Sequence, residues 1–374
     1  LNDAQTVIGG LSYEDFYVLP KTADLPTRFD RDKPFNQQGM FYEGTDNTLP
    51  IQFLDVNYTN SAAYLQLKSR WNEQWSSVLG LRYDKNSRYE STLNPRLGLV
   101  YQPRTHTVIK LLYGEAFRAP APVESLNIFG TFTGQKNERG EYIAKRFRVP
   151  NFDLLPEKVR TVELHLNQTW QDNLNVFVSG YYTEVADLIE TVTEVIPSQF
   201  IPGGYIESTT IKDNLNKGQH WGVDLSLNYQ RTFGADLQGS FWANYSFITG
   251  QIIDSQNRES DLSYIARHKL KLGATLSYQN KYFLTPQVYL IDRTDTNKPD
   301  PVDSKHRLQA PGYVLTHLHF GIHPFYVKGL SAQLDIENCF DIRYYNAGGI
   351  TNSTTFVGAP QPPRTLRLSL QYQF

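Results

Sequence analysis

A long polar stretch in the first half of the chain carries the residues best suited to bind a ligand. This stretch, Ala119–Glu157, interleaves aromatic side chains with cations. Cations attract an anionic ligand, and aromatic rings offer flat area on which a partly aromatic ligand can stack. We therefore predict ligand contacts from six of its residues and one from a later loop: Phe129, Phe132, Tyr142, Lys145, Arg146, Arg148 and Phe200. The alternative is that the aromatic residues pack the loop against its neighbours, as in an Ω-loop.

Catalytic motifs are not recognisable anywhere in the chain. There is no Gly-x-Ser-x-Gly elbow, no Gly-rich phosphate loop and no His-Glu-x-x-His. His317, His319 and His323 share one face of a predicted strand, which is more typical of polar side chains facing an interior than of a metal site. Cys339 is the single cysteine, which excludes a disulfide within the chain. We predict no catalytic residue, resident cofactor or metal. A barrel enzyme whose triad converges from separate strands is kept as an alternative.

The net charge and the apolar content of the chain limit the class of protein to which this stretch can belong. The formal net charge is −2, so there is no basic excess to neutralise the phosphates of a nucleic acid. No run of eighteen apolar residues occurs, so a membrane-spanning helix is not predicted. A membrane-spanning β-barrel needs no such apolar run, because half of each of its strands faces a polar interior.

Strand periodicity recurs from end to end of the chain. In the closing segment Leu366, Leu368, Leu370, Tyr372 and Phe374 alternate with polar residues, which places every apolar side chain on one face of a strand. Similar segments begin with residues 4–18 and number about fourteen, all consistent with antiparallel neighbours. Short turns alternate with long loops, as in a barrel with one end in the periplasm and the other outside. This parity places five loops outside: Ala119–Glu157, which carries no strand signal, and the loops near Ile196–Gly204, Asp254–Ser263, Asp292–Gln309 and Ala347–Gln361.

Several motifs resemble those of one known family. Tyr113–Leu126 reads YGEAFRAPAPVESL and resembles the YGxAFRAP segment of TonB-dependent outer-membrane receptors. Other segments are similar to the family's motifs and follow in the same order: NFDLLPEKVRTVELHL, GVDLSLNYQ, RHKLKLG, LDIENCFDIRYYNAGG and PPRTLRLSLQYQF. The motif residues are better interpreted as structure of the interior or the rim than as ligand contacts: Tyr113, Gly114, Phe117, Arg118, Pro120, Pro156, Glu157, Glu163, Asp341, Arg364 and Phe374.

The resemblance implies an all-β, transmembrane antiparallel barrel in the outer membrane of a Gram-negative bacterium, in contact with the membrane lipid. Family members have 22 strands and an N-terminal plug. Because neither plug nor TonB box is recognisable, residues 1–374 are expected to be the C-terminal part of such a barrel, with about fourteen of its strands. Phe374 should then lie at the periplasmic rim.

The implied function is import of a ferric siderophore, driven by TonB and its inner-membrane motor. Other ligands of the family, namely haem, cobalamin or a glycan, are alternatives, as is a passive porin of about fourteen strands. Haem is disfavoured because no histidine lies between Pro120 and Pro156.

Overall fold

The computed structural model describes residues 4–18, 32, 39–41, 48–50, 56–127, 129–194, 203–300, 302, 307–348 and 358–374. These residues form 24 strands and one short helix. The strands are β1 (Gln5–Val18), β2 (Gly39–Phe41), β3 (Thr48–Pro50), β4 (Val56–Arg70), β5 (Trp75–Asn86), β6 (Thr92–Arg104), β7 (Thr107–Arg118), β8 (Phe129–Lys136), β9 (Tyr142–Arg148), β10 (Glu157–Trp170), β11 (Leu174–Glu194), β12 (Gly204–Ile206), β13 (Thr209–Phe233), β14 (Leu237–Ile253), β15 (Glu259–Asp261), β16 (His268–Tyr278), β17 (Tyr282–Ile291), β18 (Thr294–Pro299), β19 (Arg307–Ala310), β20 (Tyr313–Ile322), β21 (Leu330–Glu337), β22 (Tyr345–Ala347), β23 (Gly358–Pro360) and β24 (Thr365–Tyr372); the helix α1 is Pro122–Ser125. Within the described residues, no helix is long and apolar enough to cross a membrane.

Fourteen long strands of the described chain form one antiparallel meander, which we call the wall. Each strand pairs with the next in the order β1, β4, β5, β6, β7, β10, β11, β13, β14, β16, β17, β20, β21 and β24. The prediction of about fourteen antiparallel strands is confirmed. Within the described residues no ladder joins β24 to β1, so the presence of further strands between them stays a prediction.

The two ends of the wall differ as the sequence predicts. At one end the connections are short: 71–74, 105–106, 171–173, 234–236, 279–281 and 323–329. At the other end, longer connections carry α1 and all the smaller strands. In outer-membrane barrels the end with long loops faces outside. At the opposite end the chain's last residues meet a short turn, because the Gln373 N–H donates to the Gly329 carbonyl at 2.9 Å. Phe374 therefore lies at the short-turn end.

The apolar face of the wall is its exposed face. In β10, Val162, Leu164 and Leu166 are 43%, 55% and 39% exposed, whereas Glu163 and His165 between them are partly covered and joined at 2.8 Å. Neighbouring strands keep the same register, so that Leu164 lies opposite Leu111. A soluble sheet buries its apolar face, whereas a transmembrane barrel turns that face to lipid. This pattern is that of a transmembrane wall.

Two neighbouring wall strands continue far beyond the apolar band. β11 has 21 residues and β13 has 25, although about 9–11 tilted residues cross a bilayer. Their extensions support the loop 119–156. The expectation that this loop contains no strands is wrong, because it forms α1, β8 and β9. Its residues lack simple alternation because β9 is paired on both edges and contains a bulge.

Candidate functional site

The loop 119–156 folds into a small sheet of its own, which we call the loop sheet. Its centre is β9, which pairs antiparallel with β8 on one edge. On the other edge β9 runs parallel to β12 and to the first residues of β13. The Phe147 N–H donates to the Ser208 carbonyl and the Val149 N–H to the Thr210 carbonyl, each at 3.0 Å. Parallel pairing between segments sixty residues apart therefore fixes the loop against the long β11–β13 hairpin.

A compact apolar core holds the loop sheet together. Phe147, Ala144 and Ile206 are fully buried, and Phe132 and Tyr142 are 4% and 5% exposed. The Phe132 and Phe147 rings pack with their centroids 5.5 Å apart. Burial of large apolar side chains of this kind contributes about 1.5–3 kcal/mol each. The loop sheet is thus built as a small water-soluble sheet is built, around a hydrophobic centre.

Gly130 is required where β8 crosses the buried Phe147 ring. A Cβ atom at residue 130 would lie 2.2 Å from Cδ2 of Phe147. Any larger residue must displace the ring or the strand, so this glycine sets the approach of β8 to β9.

A bulge in β9 turns two consecutive cations outward. Phe132 pairs with Ala144 and Gly130 with Phe147, so β9 has one residue more than β8 between these pairs. The extra residue breaks the alternation, and Lys145 and Arg146 are both exposed. The bulge also leaves the Lys145 carbonyl free to accept the Ser208 hydroxyl at 2.8 Å.

The bulged cations line a cavity of about 510 Å³ between the loop sheet and the β11–β13 hairpin. The residues that line it are Gly130, Lys145, Arg146, Arg148, Thr191, Thr193 and Thr210. Three side chains are cationic and none is a carboxylate. Within the described residues none of these cations forms an ion pair with a carboxylate, and the buried Thr210 hydroxyl has no hydrogen-bond partner. The cavity therefore offers positive charge and hydroxyl groups to an anion.

The structure brings together three of the seven residues predicted to contact a ligand, namely Lys145, Arg146 and Arg148. Phe132 and Tyr142 lie in the core of the loop sheet, which is the packing alternative for aromatic residues. Phe129 is the first residue of β8, and Phe200 lies outside the described residues. A ligand-binding role for these residues stays a prediction.

Sequence reasoning missed Gly130 and the three threonines of the cavity. Thr191 and Thr193 alternate within β11, which indicates a shared face but not what that face meets. Their proximity to β9 depends on the parallel pairing of β9 with β12 and β13. No local pattern in the sequence reports a pairing of that kind.

An ion cluster, which we call the Arg118 clamp, joins the loop to the wall. The Arg118 guanidinium donates to Glu157 at 2.5 and 2.8 Å and to Glu124 at 3.0 and 3.1 Å. Glu157 also accepts the N–H of Ile189 at 2.9 Å, and Glu124 accepts that of Ala121 at 2.9 Å. The guanidinium beside Glu157 holds the pKa of that carboxyl below its usual range, although partial burial opposes the shift. The clamp therefore ties the ends of β7 and β10, α1 and β11 together where the loop leaves the wall.

Comparison with known proteins agrees with this architecture. A family model described as "TonB dependent receptor-like, beta-barrel" matches residues 4–339. The chain belongs to this family. TonB-dependent receptors are transporters rather than enzymes, and their barrels lie in the outer membrane of Gram-negative bacteria, which is where the exposed apolar face of the wall belongs.

Individual proteins match over nearly the whole chain. The vitamin B12 transporter BtuB of Vibrio cholerae serotype O1 is 29% identical over 375 residues, covering 100% of this chain and 47% of the relative. A mutant of the ferric enterobactin receptor PfeA of Pseudomonas aeruginosa superposes with a TM-score of 0.68 at 16% identity, covering 99% and 51% of the two chains. The siderophore receptor PirA of Acinetobacter baumannii gives 0.67 at 15% identity, covering 99% and 52%. The solved structures show the fold alone, and the chain spans about half the length of these proteins.

Around the Arg118 clamp, the residues of the TonB-dependent receptor motifs make local contacts. Pro120 and Pro156 are buried at the two ends of the loop. The Tyr113 hydroxyl donates to Glu115 in the next outward position of β7. Gly114 has open space where a Cβ would stand, so packing does not demand a glycine there. The two prolines are thus covered at the ends of the loop, whereas the structure gives no reason for Gly114.

Further motif residues lie in β7, in β10 and near the chain's end. Phe117 pairs in register with Lys158 at the long-loop end of the wall. Glu163 contacts His165 at 2.8 Å on the inward face of β10. Asp341 accepts the N–H of Arg364 at 2.9 Å and so links the connection after β21 to the start of the closing strand.

Two of the three histidines singled out in the sequence are held by the wall itself. His319 contacts Asp335 at 2.7 Å, and the His317 ring packs on Tyr289 with centroids 4.7 Å apart. Within the described residues no group of three or more His, Cys, Asp or Glu side chains is placed to hold a metal ion.

Proposed function

We propose that this chain is part of an outer-membrane receptor that captures an anionic ferric siderophore and imports it with energy supplied through TonB. The cavity of the loop sheet carries the proposal, because Lys145, Arg146 and Arg148 meet there without a carboxylate. Ferric chelates with acidic ligand groups are anionic, and guanidinium groups bind such oxygens through paired, charge-assisted hydrogen bonds. The cavity lies at the long-loop end, where an external ligand arrives first.

Rigidity supports capture at this position. The loop sheet has its own core, and the Arg118 clamp fixes its base. A site whose backbone is already held in place loses less conformational entropy when the ligand binds. The wall itself supplies no chemistry. In the proposed function, TonB and its inner-membrane motor supply the energy for transport across the membrane.

The test uses the full-length receptor and ferric enterobactin as the anionic probe. Replacing Lys145, Arg146 and Arg148 together by Gln should weaken binding by about 10²-fold or more, since each charged hydrogen bond contributes about 1.5–3 kcal/mol. Binding by the natural receptor should also weaken as salt rises. Fluorescence titration measures both effects.

Arg139→Gln is the matched control, because Arg139 is exposed in the same hairpin but does not line the cavity. Its affinity should equal that of the natural protein. If the triple variant binds as tightly as the control, the cavity is not the capture site.

Cobalamin is the second candidate ligand, favoured by the 29% identity to a protein named as a vitamin B12 transporter. A corrinoid presents mostly amide groups rather than carboxylates, so three free cations are a poor match for it. Titration with cyanocobalamin separates the two. The ligand is cobalamin rather than a siderophore if two results are found together. The natural receptor and the triple variant would bind cyanocobalamin equally tightly, and neither would bind the ferric chelate.

A further inference from the structure

A second group of free cations lies on the outside of the wall, far from the loop sheet in sequence. It borders a groove of about 680 Å³, which we call the outer-wall groove. The floor of the groove is a row of outward side chains on three adjacent strands. Leu270 on β16 lies opposite Leu290 on β17, and Leu290 lies opposite Val314 on β20. Leu290 and Val314 are 37% and 50% exposed. The floor therefore belongs to the lipid-facing band.

The rim of the groove lies at the long-loop end of the same strands, because β17 ends at Ile291 and β20 begins at Tyr313. Arg293 and Arg343 line the rim, and both are exposed. Within the described residues neither guanidinium forms an ion pair with a carboxylate. The carboxylate of Asp292 also lines the groove, where it accepts the backbone N–H of Arg293 at 2.8 Å.

His268 adds a third nitrogen-bearing side chain to the rim. Its Nδ1 lies 2.8 Å from the Tyr245 hydroxyl, and both residues line the groove. With two guanidinium groups against one carboxylate, the rim is positive even when this histidine is neutral. The positively charged rim therefore borders an apolar floor in the same groove.

Two cations elsewhere on the outer wall are paired with carboxylates. Arg160 contacts Glu115 at 3.5 Å, and Lys158 contacts Asp187 at 3.7 Å, near the long-loop ends of β7 and β10. These charges are compensated by neighbours of the same wall. The rim of the outer-wall groove differs because its two arginines are left uncompensated by the described residues.

We propose that the outer-wall groove binds one anionic membrane lipid of the outward-facing leaflet. Its phosphate lies between Arg293 and Arg343, and its acyl chains cover Leu270, Leu290 and Val314. Guanidinium groups match phosphate oxygens in geometry, and basic side chains at the edge of an apolar band are suited to lipid head groups. The proposal rests on the place of the wall in the membrane and not on the ligand proposed for the loop sheet.

The experiment titrates the purified full-length receptor, in a neutral detergent, with phosphatidylglycerol, and measures bound lipid by native mass spectrometry. The natural protein should retain one lipid, and Arg293→Gln with Arg343→Gln should weaken its binding by about tenfold or more. Arg160→Gln is the matched control and should bind lipid as the natural protein does. Equal lipid retention by the double variant and the natural protein would overturn the proposal. Far-UV circular dichroism checks that each variant keeps its strand content.

A second arm separates a lipid site from a simple anion site. Inorganic phosphate at millimolar concentration should not displace the lipid, because it cannot cover the apolar floor. Leu290→Ser should weaken lipid binding while leaving the two arginines in place. Displacement by inorganic phosphate, or unchanged lipid binding in Leu290→Ser, would show that the floor takes no part and would overturn the proposal.

Discussion

In the wall, large apolar side chains are exposed, whereas in the loop sheet they are buried. Leu65 and Leu164 of the wall are 59% and 55% exposed, while Phe147 and Ile206 of the loop sheet are fully buried. Both regions are β-sheet, so secondary structure does not account for the difference. The surrounding solvent does: lipid stabilises an outward apolar face, and water drives the same side chains into a core. Two opposite patterns of apolar burial therefore occur in one chain, one in the wall and one in the loop sheet.

The largest effect is expected from a substitution that disrupts the loop sheet and leaves the wall intact. Phe147→Ala removes the central ring of the loop core and should destabilise that core by about 3–5 kcal/mol. Hydrogen exchange measures this directly, because the amides of Phe147 and Val149 are donors in the parallel pairing. Those amides should exchange much faster in the variant, while the amides of β10 keep their protection.

The matched control for that change is Phe152→Ala, since Phe152 belongs to the same loop but is 60% exposed. Its effect should stay within about 0.5 kcal/mol, as for most surface substitutions. Equal exchange rates in the two variants would mean that the loop sheet does not depend on its aromatic core.

The same contrast explains how much the sequence predicts. The wall follows from local alternation, because a strand with one face in lipid must place apolar residues at every second position, as Leu366 to Phe374 do. The order of strands then follows from the short turns. The cavity of the loop sheet depends on a bulge at Lys145 and on a parallel partner at Thr209, sixty residues away. Neither leaves a periodic signal, so the sequence identified the cations but not the threonines that face them.

A somewhat smaller effect is expected when a charged residue replaces an apolar one on the lipid-facing side of the wall. Leu81 is 48% exposed on the outward face, and the next residue, Arg82, contacts Asp84 at 2.7 Å. Leu81→Arg should destabilise the barrel by about 2–4 kcal/mol if the residue lies near the membrane midplane. Urea unfolding of the full-length receptor in lipid vesicles measures the change. Leu81→Met is the control and should be nearly neutral; equal unfolding free energies for the two variants would contradict a lipid-facing position.

The smallest effect concerns the junction of the two regions, where charge rather than a core holds the chain. The pKa of Glu157 is lowered by Arg118, so the clamp contributes stability at pH values above the ordinary carboxyl pKa of 4.5. That contribution is lost as the pH falls below 4.5 and through the lowered pKa of the folded protein. It should amount to about 1 kcal/mol, because the guanidinium is partly exposed to water.

Glu157→Gln isolates this contribution. At pH 7 the amide of Ile189, which donates to Glu157 at 2.9 Å, should exchange about fivefold faster in the variant than in the natural receptor. At pH 3.5 the two proteins should approach each other, because the natural carboxyl is then increasingly protonated. Comparing the proteins at the same pH cancels the intrinsic pH dependence of exchange. A ratio that stays constant between pH 7 and 3.5 would show that the junction is held by backbone pairing and packing, as the wall and the loop sheet are, and not by the charge of Glu157.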